Sequence, residues 1–499
     1  MDIPLQQQVT RGKWLALAAA LLGWMFDGFE MGLFSLVGRP ALQDLLPGAS
    51  ESSIGRWFSV AMAVFLVGAA SGGVLFGWLG DRLGRVRAMM LSILAYAIFT
   101  GLCGLAQSAW QVMVLRFLAA LGMGGEWSLG VALVNEIWPD RSRAFLAGLI
   151  GAAANIGFFL IAVLGLGLTS AIDETRTALT AVGLPESWVA GLLHNKGWRL
   201  LMVVGAVPAV LTLFIQMVVP ESERWQREHG RGATSNWAAR DLSGVLVGVL
   251  GSLGIICLWA VDLALAVQIL GTVIGLVVVT AGYTFPVIRY LQRCQDQSTD
   301  PEHGWQATLG RMLLGACLSG VALLGTWGSI QWAPTWADQL TNGGQQAKEY
   351  TQIWSGVGAI AGTMAAAWMG NWLGRRFTYF LLCLASLASA VFLFWFNTTY
   401  GTAFLFSAVL AGGFTASFYG WLPLYLPELF RTGVRATGQG FSFNFGRILA
   451  AIGALQTGNL MGLFKGGYPV ACSLMSLIYL VGLGVIWLAP ETRGKPLPD

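Results

Sequence analysis

Charge is what this 499-residue chain has least of: only 11% of its residues are Asp, Glu, Lys or Arg, where soluble proteins carry about 25%. So few charges cannot cover the surface of a soluble enzyme of this size. With 56% hydrophobic residues, the same deficit excludes a disordered chain and a nucleic-acid reader built on a basic face. The six cysteines (Cys103, Cys257, Cys294, Cys317, Cys383 and Cys472) show no metal-ligand spacing. Five lie in apolar runs and Cys294 among polar residues, so neither a disulfide nor a metal site is expected. Nucleophile triads and phosphate-cradling loops are missing too, and Gly122-x-Gly124-Gly125 falls inside an apolar run, where a nucleotide reading fails. No enzyme activity and no cofactor are therefore expected. The N-terminal MDIPLQQQVTRGKW lacks a cleavable signal. What is abundant is Gly, at 66, and Trp, at 22, both favoured in membrane helices and at their interfaces.

A membrane-spanning helix needs about 20 mostly apolar residues, and fourteen runs meet that need. The first six cover roughly 14–38, 57–80, 88–106, 110–135, 144–168 and 198–219. A tight pair follows at roughly 242–260 and 263–288, separated by Val261 and Asp262, for which one re-entrant hairpin is the alternative. The last six cover roughly 312–334, 351–370, 377–396, 401–425, 437–462 and 468–489. A long external loop is expected over 169–197.

Lys and Arg in the loops give the orientation, because cytoplasmic loops are enriched in them. With the N-terminus in the cytoplasm, twenty of the 29 basic residues fall on that side, Arg82, Arg85, Arg87, Arg141, Arg143, Arg224, Arg375, Arg376, Arg431 and Arg435 among them. Seven fall outside: Arg39, Arg56, Arg176, Lys196, Arg199, Lys348 and Lys465. Arg116 and Arg447 lie within spans. The expectation is a multi-pass protein of the inner or plasma membrane with both termini cytoplasmic.

The chain also repeats itself. Gly77-Trp-Leu-Gly-Asp81-Arg82-Leu-Gly84-Arg85 follows the second span, and Ala367-Trp-Met-Gly-Asn371-Trp-Leu-Gly374-Arg375 is its echo in the second half. Glu136 precedes Arg143-Ala144 as Glu428 precedes Arg435-Ala436, by seven positions each time. This divides the chain into a six-helix half over 1–220, a linker with two extra helices over 221–300, and a second six-helix half over 301–499.

The Gly-x-x-x-Asp-Arg-x-Gly-Arg loop and its echo resemble the signature of the major facilitator superfamily. Pro220-Glu-Ser-Glu-Arg-Trp225 and Pro490-Glu-Thr-Arg-Gly494 look like sugar-porter endings, and Asp27-Gly-Phe-Glu30 resembles the Asp-Gly-x-acid motif of organic-acid:proton symporters. Arg116-Phe-Leu-Ala-Ala-Leu-Gly-Met-Gly-Gly-Glu126-Trp with Glu136-Ile-Trp-Pro139 looks most like the sialate:proton symporter branch, which also carries two extra central helices. Two departures stand out: Asn371 replaces the acidic loop residue, and Glu30 stands where that branch has Asp. The resemblance implies an all-α membrane protein of the major facilitator fold. It further implies alternating access, with Asp81, Arg82, Arg85, Glu136, Arg143, Arg375, Glu428 and Arg435 acting as a conformational latch between the halves. Solvated charges that only set topology are the plainer reading of those loops.

Charged residues inside spanning helices are costly and point to function. Asp27 lies roughly 20 Å from the inner end of its span, and Arg116 roughly 9 Å from the outer end of the fourth. In a core about 30 Å thick these depths nearly coincide. The expectation is an Asp27–Arg116 pair that couples to protons, or else a fixed ion pair. Glu30, one turn further out, is expected either to take part in coupling or to face the outer vestibule. Glu126, roughly 24 Å along its span, is expected to be a second proton site or a polar anchor near the inner mouth, with the neighbouring glycines serving packing. Arg447 sits roughly 15 Å into its span, near the midplane. Its planar fork suits a carboxylate, with Asn444 and Asn155 as polar neighbours and Trp327, Trp332, Trp354, Tyr419 and Trp421 as candidate walls; an internal salt bridge is the alternative. The function expected from the sequence is proton-coupled symport of a small organic anion, sialic acid or a related sugar acid first. Aromatic or other monocarboxylic acids or neutral sugars come next, and a solute-sensing receptor last. The partners expected are the anionic substrate, protons and the lipid bilayer, with no nucleic acid and a monomeric state.

Overall fold

The computed structural model describes residues 5–138, 142–261, 263–294, 304–344, 346–463 and 467–498. Pro139, Arg141, Asp262 and Lys465 lie outside the described residues. Among those described there is helix and loop but no strand. Five helices follow the first five apolar runs: α1 (Leu5–Leu45), α2 (Glu51–Leu83), α3 (Arg85–Cys103), α4 (Ala109–Ile137) and α5 (Arg143–Ser170). Side-chain caps start some of them. Ser50 accepts from the backbone of Ser53 ahead of α2, and Ser108 accepts from Gln111 ahead of α4, each satisfying an N–H that has no partner within its helix. The sixth span, α6, comes in two pieces, Glu186–Val204 and Ala209–Val218, with Pro208 at the break. Proline has no N–H to continue the ladder. Part of the loop expected at 169–197 is helical too, as Ile172–Ala181 and the start of α6.

The central pair forms two full helices, α7 (Leu242–Ala260) and α8 (Leu265–Cys294). The second half contains α9 (Trp305–Gly328), α10 (Ala347–Leu373), α11 (Arg375–Phe396), α12 (Thr402–Ala416, resuming as Phe418–Tyr425), α13 (Arg435–Leu463) and α14 (Tyr468–Ser476, resuming as Ile478–Val485).

Among the described residues, eleven helical stretches are long and apolar enough to cross a membrane. Three expected spans fall outside that set: α6, α10 and α13. The break shortens α6. The other two carry polar side chains that face protein rather than lipid: Thr351, Gln352 and Thr363 on α10, and Thr437, Gln439, Ser442, Asn444 and Arg447 on α13, are all buried. Low hydropathy in these two helices therefore reflects an inward position.

The halves pack alike. α1 lies on α5 and α2 on α4, as α9 lies on α13 and α10 on α12. The halves meet along two seams, α2 against α13 and α5 against α10. The α7–α8 pair flanks the first seam, held to α2 by a 2.6 Å hydrogen bond between the Tyr283 and Ser71 hydroxyls. Small residues bring α2 and α4 together: a methyl group on Gly124 would lie 1.9 Å from the Ala69 carbonyl oxygen.

Candidate functional site

A cavity of about 740 Å³ lies between the halves, walled by α1, α5, α9, α10, α12 and α13. Arg447 opens onto it, and so do Asn155, Trp327 and Tyr419. Trp24, Phe158 and Phe443 add further aromatic wall. The Arg447 guanidinium stacks over the Phe443 ring at 5.3 Å, and among the described residues its Nη1 has no hydrogen-bond partner. Asn155 gives its amide N–H to the Gly151 carbonyl at 2.9 Å, which leaves its carboxamide oxygen to the cavity.

Other candidates sit elsewhere. Asn444 is not in the cavity. It is fully buried and donates to the Gly124 and Gly440 carbonyls, both at 3.0 Å, so it ties α13 to α4 across the first seam. Three residues along a helix is less than one full turn, and that rotation separates it from Arg447. Trp421 is buried and donates to the Arg375 carbonyl at 3.0 Å, Trp354 is exposed on the outer face of α10, and Trp332 lines a neighbouring chamber.

The intramembrane charges pair differently from the sequence expectation. Arg116 is held by Glu30 rather than Asp27. Glu30 also accepts a 2.8 Å bond from Thr100 of α3 and is 2% exposed, so it does not face a vestibule. The guanidinium of Arg116 lies over the rings of Phe34 and Phe65, at 4.6 and 4.4 Å. Among the described residues, neither oxygen of Asp27, one turn away, accepts a conventional hydrogen bond, and the same holds for Glu126. Glu126 sits over Gly23, one turn before Asp27, where an added methyl would strike its Oε1 at 1.5 Å. Glu126 and Arg447 each lie within electrostatic reach of Asp27, the two acids coming from the first half and the base from the second. Glu126 therefore packs against α1 beside Asp27.

The loop charges form two related clusters at one end of the seams. In the first, Arg85 binds Asp81 at 2.7 Å and Glu136 at 3.1 Å. Asp81 accepts from the backbone of Ala436 and Thr437 at the start of α13, at 3.3 and 2.9 Å, where the helix dipole favours an anion. Arg435 of the second half reaches Glu136 at 3.0 Å. In the second cluster, Arg375 binds Glu428 at 2.8 Å, and Arg143 of the first half joins it at 2.9 Å. Each cluster thus contains one arginine from the opposite half. Arg82 belongs to neither; it stacks over Trp78 at 5.0 Å. Asn371 is exposed, so the Asp81 contact has no mirror image.

Four residues of these clusters were not foreseen as site residues. Glu221 accepts from the backbone of Arg85 and Val86, at 2.9 and 3.1 Å, and Glu491 accepts from Arg375 and Arg376, at 3.0 and 3.1 Å. Ser222 and Thr492 each donate a 2.5 Å bond, to Glu136 and Glu428 respectively. The repeated Pro-Glu-Ser/Thr after the last span of each half was the available signal. Burial pushes the Glu221 carboxyl up from its ordinary value. For Glu491 burial acts the same way but is outweighed by backbone N–H groups of Arg375, Arg376 and Arg493, which hold it below. Gly84 and Gly374 stand opposite these glutamates with φ of +109° and +94°, a region that favours glycine.

A family profile described as "Sugar (and other) transporter" matches residues 15–247 and 339–499. A Haemophilus influenzae relative, described only as a metabolite transport protein, is 26% identical over 97% of this chain and 98% of its own. The "Cis,cis-muconate transport protein" of Acinetobacter baylyi is 26% identical over 93% of this chain and 94% of its own. The "Niacin transporter NiaP" of the same species is 23% identical over 95% and 93%. The "Sialic acid transporter NanX" of Escherichia coli matches over only 44% of this chain, at 26% identity. Among solved structures, the major facilitator proton:xylose symporter XylE superposes with a TM-score of 0.70 over 98% of both chains, at 18% identity, a likeness of fold.

Proposed function

Because the chain belongs to the sugar (and other) transporter family, and is thus a multi-pass membrane transporter of the major facilitator type, we propose that it moves a small organic carboxylate together with protons. The observation that carries this reading is Arg447: a buried guanidinium, aimed into a cavity between the halves, with a nitrogen left unpartnered. A buried cation needs an anion, and a planar carboxylate fits its fork.

The cavity wall favours a flat, unsaturated or aromatic acid over sialic acid. Trp24, Phe158, Trp327, Tyr419 and Phe443 offer ring faces. A polyhydroxylated sugar acid needs many polar partners, each of which costs affinity when it goes unmatched. The ranking drawn from sequence is therefore reversed: aromatic and unsaturated carboxylates first, sugar acids second. The names of the muconate and niacin relatives agree with this order.

Asp27 and Glu126 are the proton carriers in this reading. Two carboxylates in contact in a dry site repel, and one proton held between them removes the repulsion. Arg447 lies within electrostatic reach of Asp27, and a bound carboxylate competes for it. Substrate binding then leaves the acid pair without its cation and favours proton uptake. Glu30 and Arg116 hold α1 and α4 together beside this machinery. The two loop clusters act as the latch, closing the cytoplasmic end while the cavity loads from outside, and the monomer rocks its halves about the midplane site. The termini are cytoplasmic in this scheme.

The test is calorimetric binding of benzoate, nicotinate and cis,cis-muconate, each beside its neutral amide, which for muconate is the diamide. Wild type is expected to bind at least one acid and to reject its amide. Arg447→Ala is expected to cost about 2–5 kcal/mol, as for one partner of a buried charge pair. Equal binding of acid and amide, weakened equally by the substitution, overturns the anion reading in favour of a neutral-solute porter.

A further inference from the structure

A second chamber of about 550 Å³ adjoins the central cavity at the end away from the latch. Trp327 and Gln331 line both. Its walls come from both halves: Ser35 of α1 and Ser59 of α2 on one side, Gln352 and Lys348 of α10 on the other. The divide between the two spaces is polar. Gln331 donates to the Ser35 hydroxyl at 3.0 Å and Gln352 donates to the Phe158 carbonyl at 3.3 Å, so each bond joins the two halves. In addition, the buried indole N–H of Trp332, in the chamber wall, has no partner.

The geometry points to a second carboxylate site in this chamber, where Lys348 receives the anion from the external solution and Gln331 passes it inward to Arg447. This rests on the carboxylate-transport reading above. The chamber offers one ammonium group, several neutral donors and an unused indole N–H, which together suit an anion with little other polarity. Lys348 is only partly buried, so it can meet water on one side. Arg39, Lys196, Glu349 and Asp338 lie within its electrostatic reach, so charges of both signs surround the mouth. An ammonium suits a transient stop: it is a strongly hydrated point charge without a fork to lock a carboxylate in place. The bonds from Gln331 and Gln352 have to break before the anion moves on, so the chamber waits behind a barrier that spans the halves.

A charge at the rim of a path changes how fast an anion arrives and how strongly salt slows it, whereas a buried partner changes how tightly the anion is held. Ser59→Cys supplies a reporter inside the chamber. Its labelling by anionic sulfonatoethyl and cationic trimethylammonioethyl methanethiosulfonates is followed by mass spectrometry of that peptide. The anionic reagent is expected to react faster. Lys348→Gln is expected to lower the anionic-to-cationic ratio about fivefold, and Lys348→Arg to restore it. Benzoate, nicotinate or cis,cis-muconate is expected to protect Ser59→Cys in the Arg447→Ala background, where central binding is lost. A ratio insensitive to Lys348, a cysteine unreachable by either reagent, or protection that disappears with Arg447→Ala overturns the second site and leaves the central one standing. If the acids bind no better than their amides in wild type, the carboxylate reading itself falls.

Discussion

Glu30 on α1 and Arg116 on α4 form an ion pair that is closed to solvent, with the guanidinium roofed by Phe34 and Phe65. Removing one member of such a pair leaves a buried charge uncompensated, at a cost of about 3–5 kcal/mol. Glu30→Ala is therefore expected to lower the thermal unfolding temperature in detergent sharply. Replacing both members, Glu30→Leu with Arg116→Met, is expected to recover most of that loss, because apolar groups of similar volume often match a buried pair. Additive losses in the double variant would show that the two side chains do not depend on each other.

Asp27 and Glu126 carry a different expectation, since neither carboxylate accepts a conventional hydrogen bond among the described residues. Asp27→Asn and Glu126→Gln remove the proton site while keeping shape. Both variants are expected to lose accumulation against a gradient in proteoliposomes and to retain substrate counterflow, which needs no net proton movement. Full accumulation at normal reconstitution in either variant excludes that residue from coupling.

Much of this was legible before any coordinates. The fourteen apolar runs and the two-fold repeat place the helices and the loop clusters, because span length and loop charge are properties of the sequence itself. Partner choice in the membrane was not legible. A depth argument at 1.5 Å per residue separates Asp27 from Glu30 by only about 4.5 Å, and which of them meets Arg116 depends on the rotation of α1 about its axis. The rotation of α13 about its own axis likewise decides the place of Asn444, which turns to the seam while Arg447 turns to the cavity. Glu221 and Glu491 escaped notice as site residues because their partners are backbone N–H groups, which every sequence position possesses. The family resemblance places Arg82 in the latch, but α2 points it at Trp78.

The clusters predict how the halves separate. Arg435→Ala removes the bonds to Glu136 and to the Thr432 hydroxyl, at 3.0 and 3.1 Å. A hydrogen bond to a charged group contributes about 1.5–3 kcal/mol, enough to move a two-state balance roughly tenfold or more. Gln439 gives a reporter, since it is buried in the first seam and donates to the Ser128 carbonyl. A cysteine at 439 is expected to alkylate at least several-fold faster in the Arg435→Ala background. Arg82→Ala is the control and is expected to leave the rate unchanged. Equal rates in all three backgrounds would mean that the clusters do not hold the seam closed.

The identity of the acid can be decided without transport. A ligand that binds only the folded protein adds about 2.7 kcal/mol at a hundred times its dissociation constant, which raises the unfolding temperature. The cavity presents aromatic faces and one fork, with Asn155 offering a single carboxamide oxygen to a ligand hydroxyl or N–H. A flat acid can stack on Trp327 or Tyr419 while its carboxylate meets Arg447, and it leaves few polar groups unmatched. A sialic acid brings a hydroxylated chain and an amide, and most of those groups would face ring carbons. Benzoate, nicotinate or cis,cis-muconate is therefore expected to shift unfolding upward at millimolar concentration, and sialic acid at the same concentration to shift it by much less. Trp327→Leu is expected to shrink the shift for flat acids, measured against that variant's own unliganded unfolding temperature. A larger shift with sialic acid than with any flat acid would restore the sugar-acid assignment. The polar groups of the wall — Asn155, Thr326, Gln331 and Ser355 — would then be its partners in place of the rings.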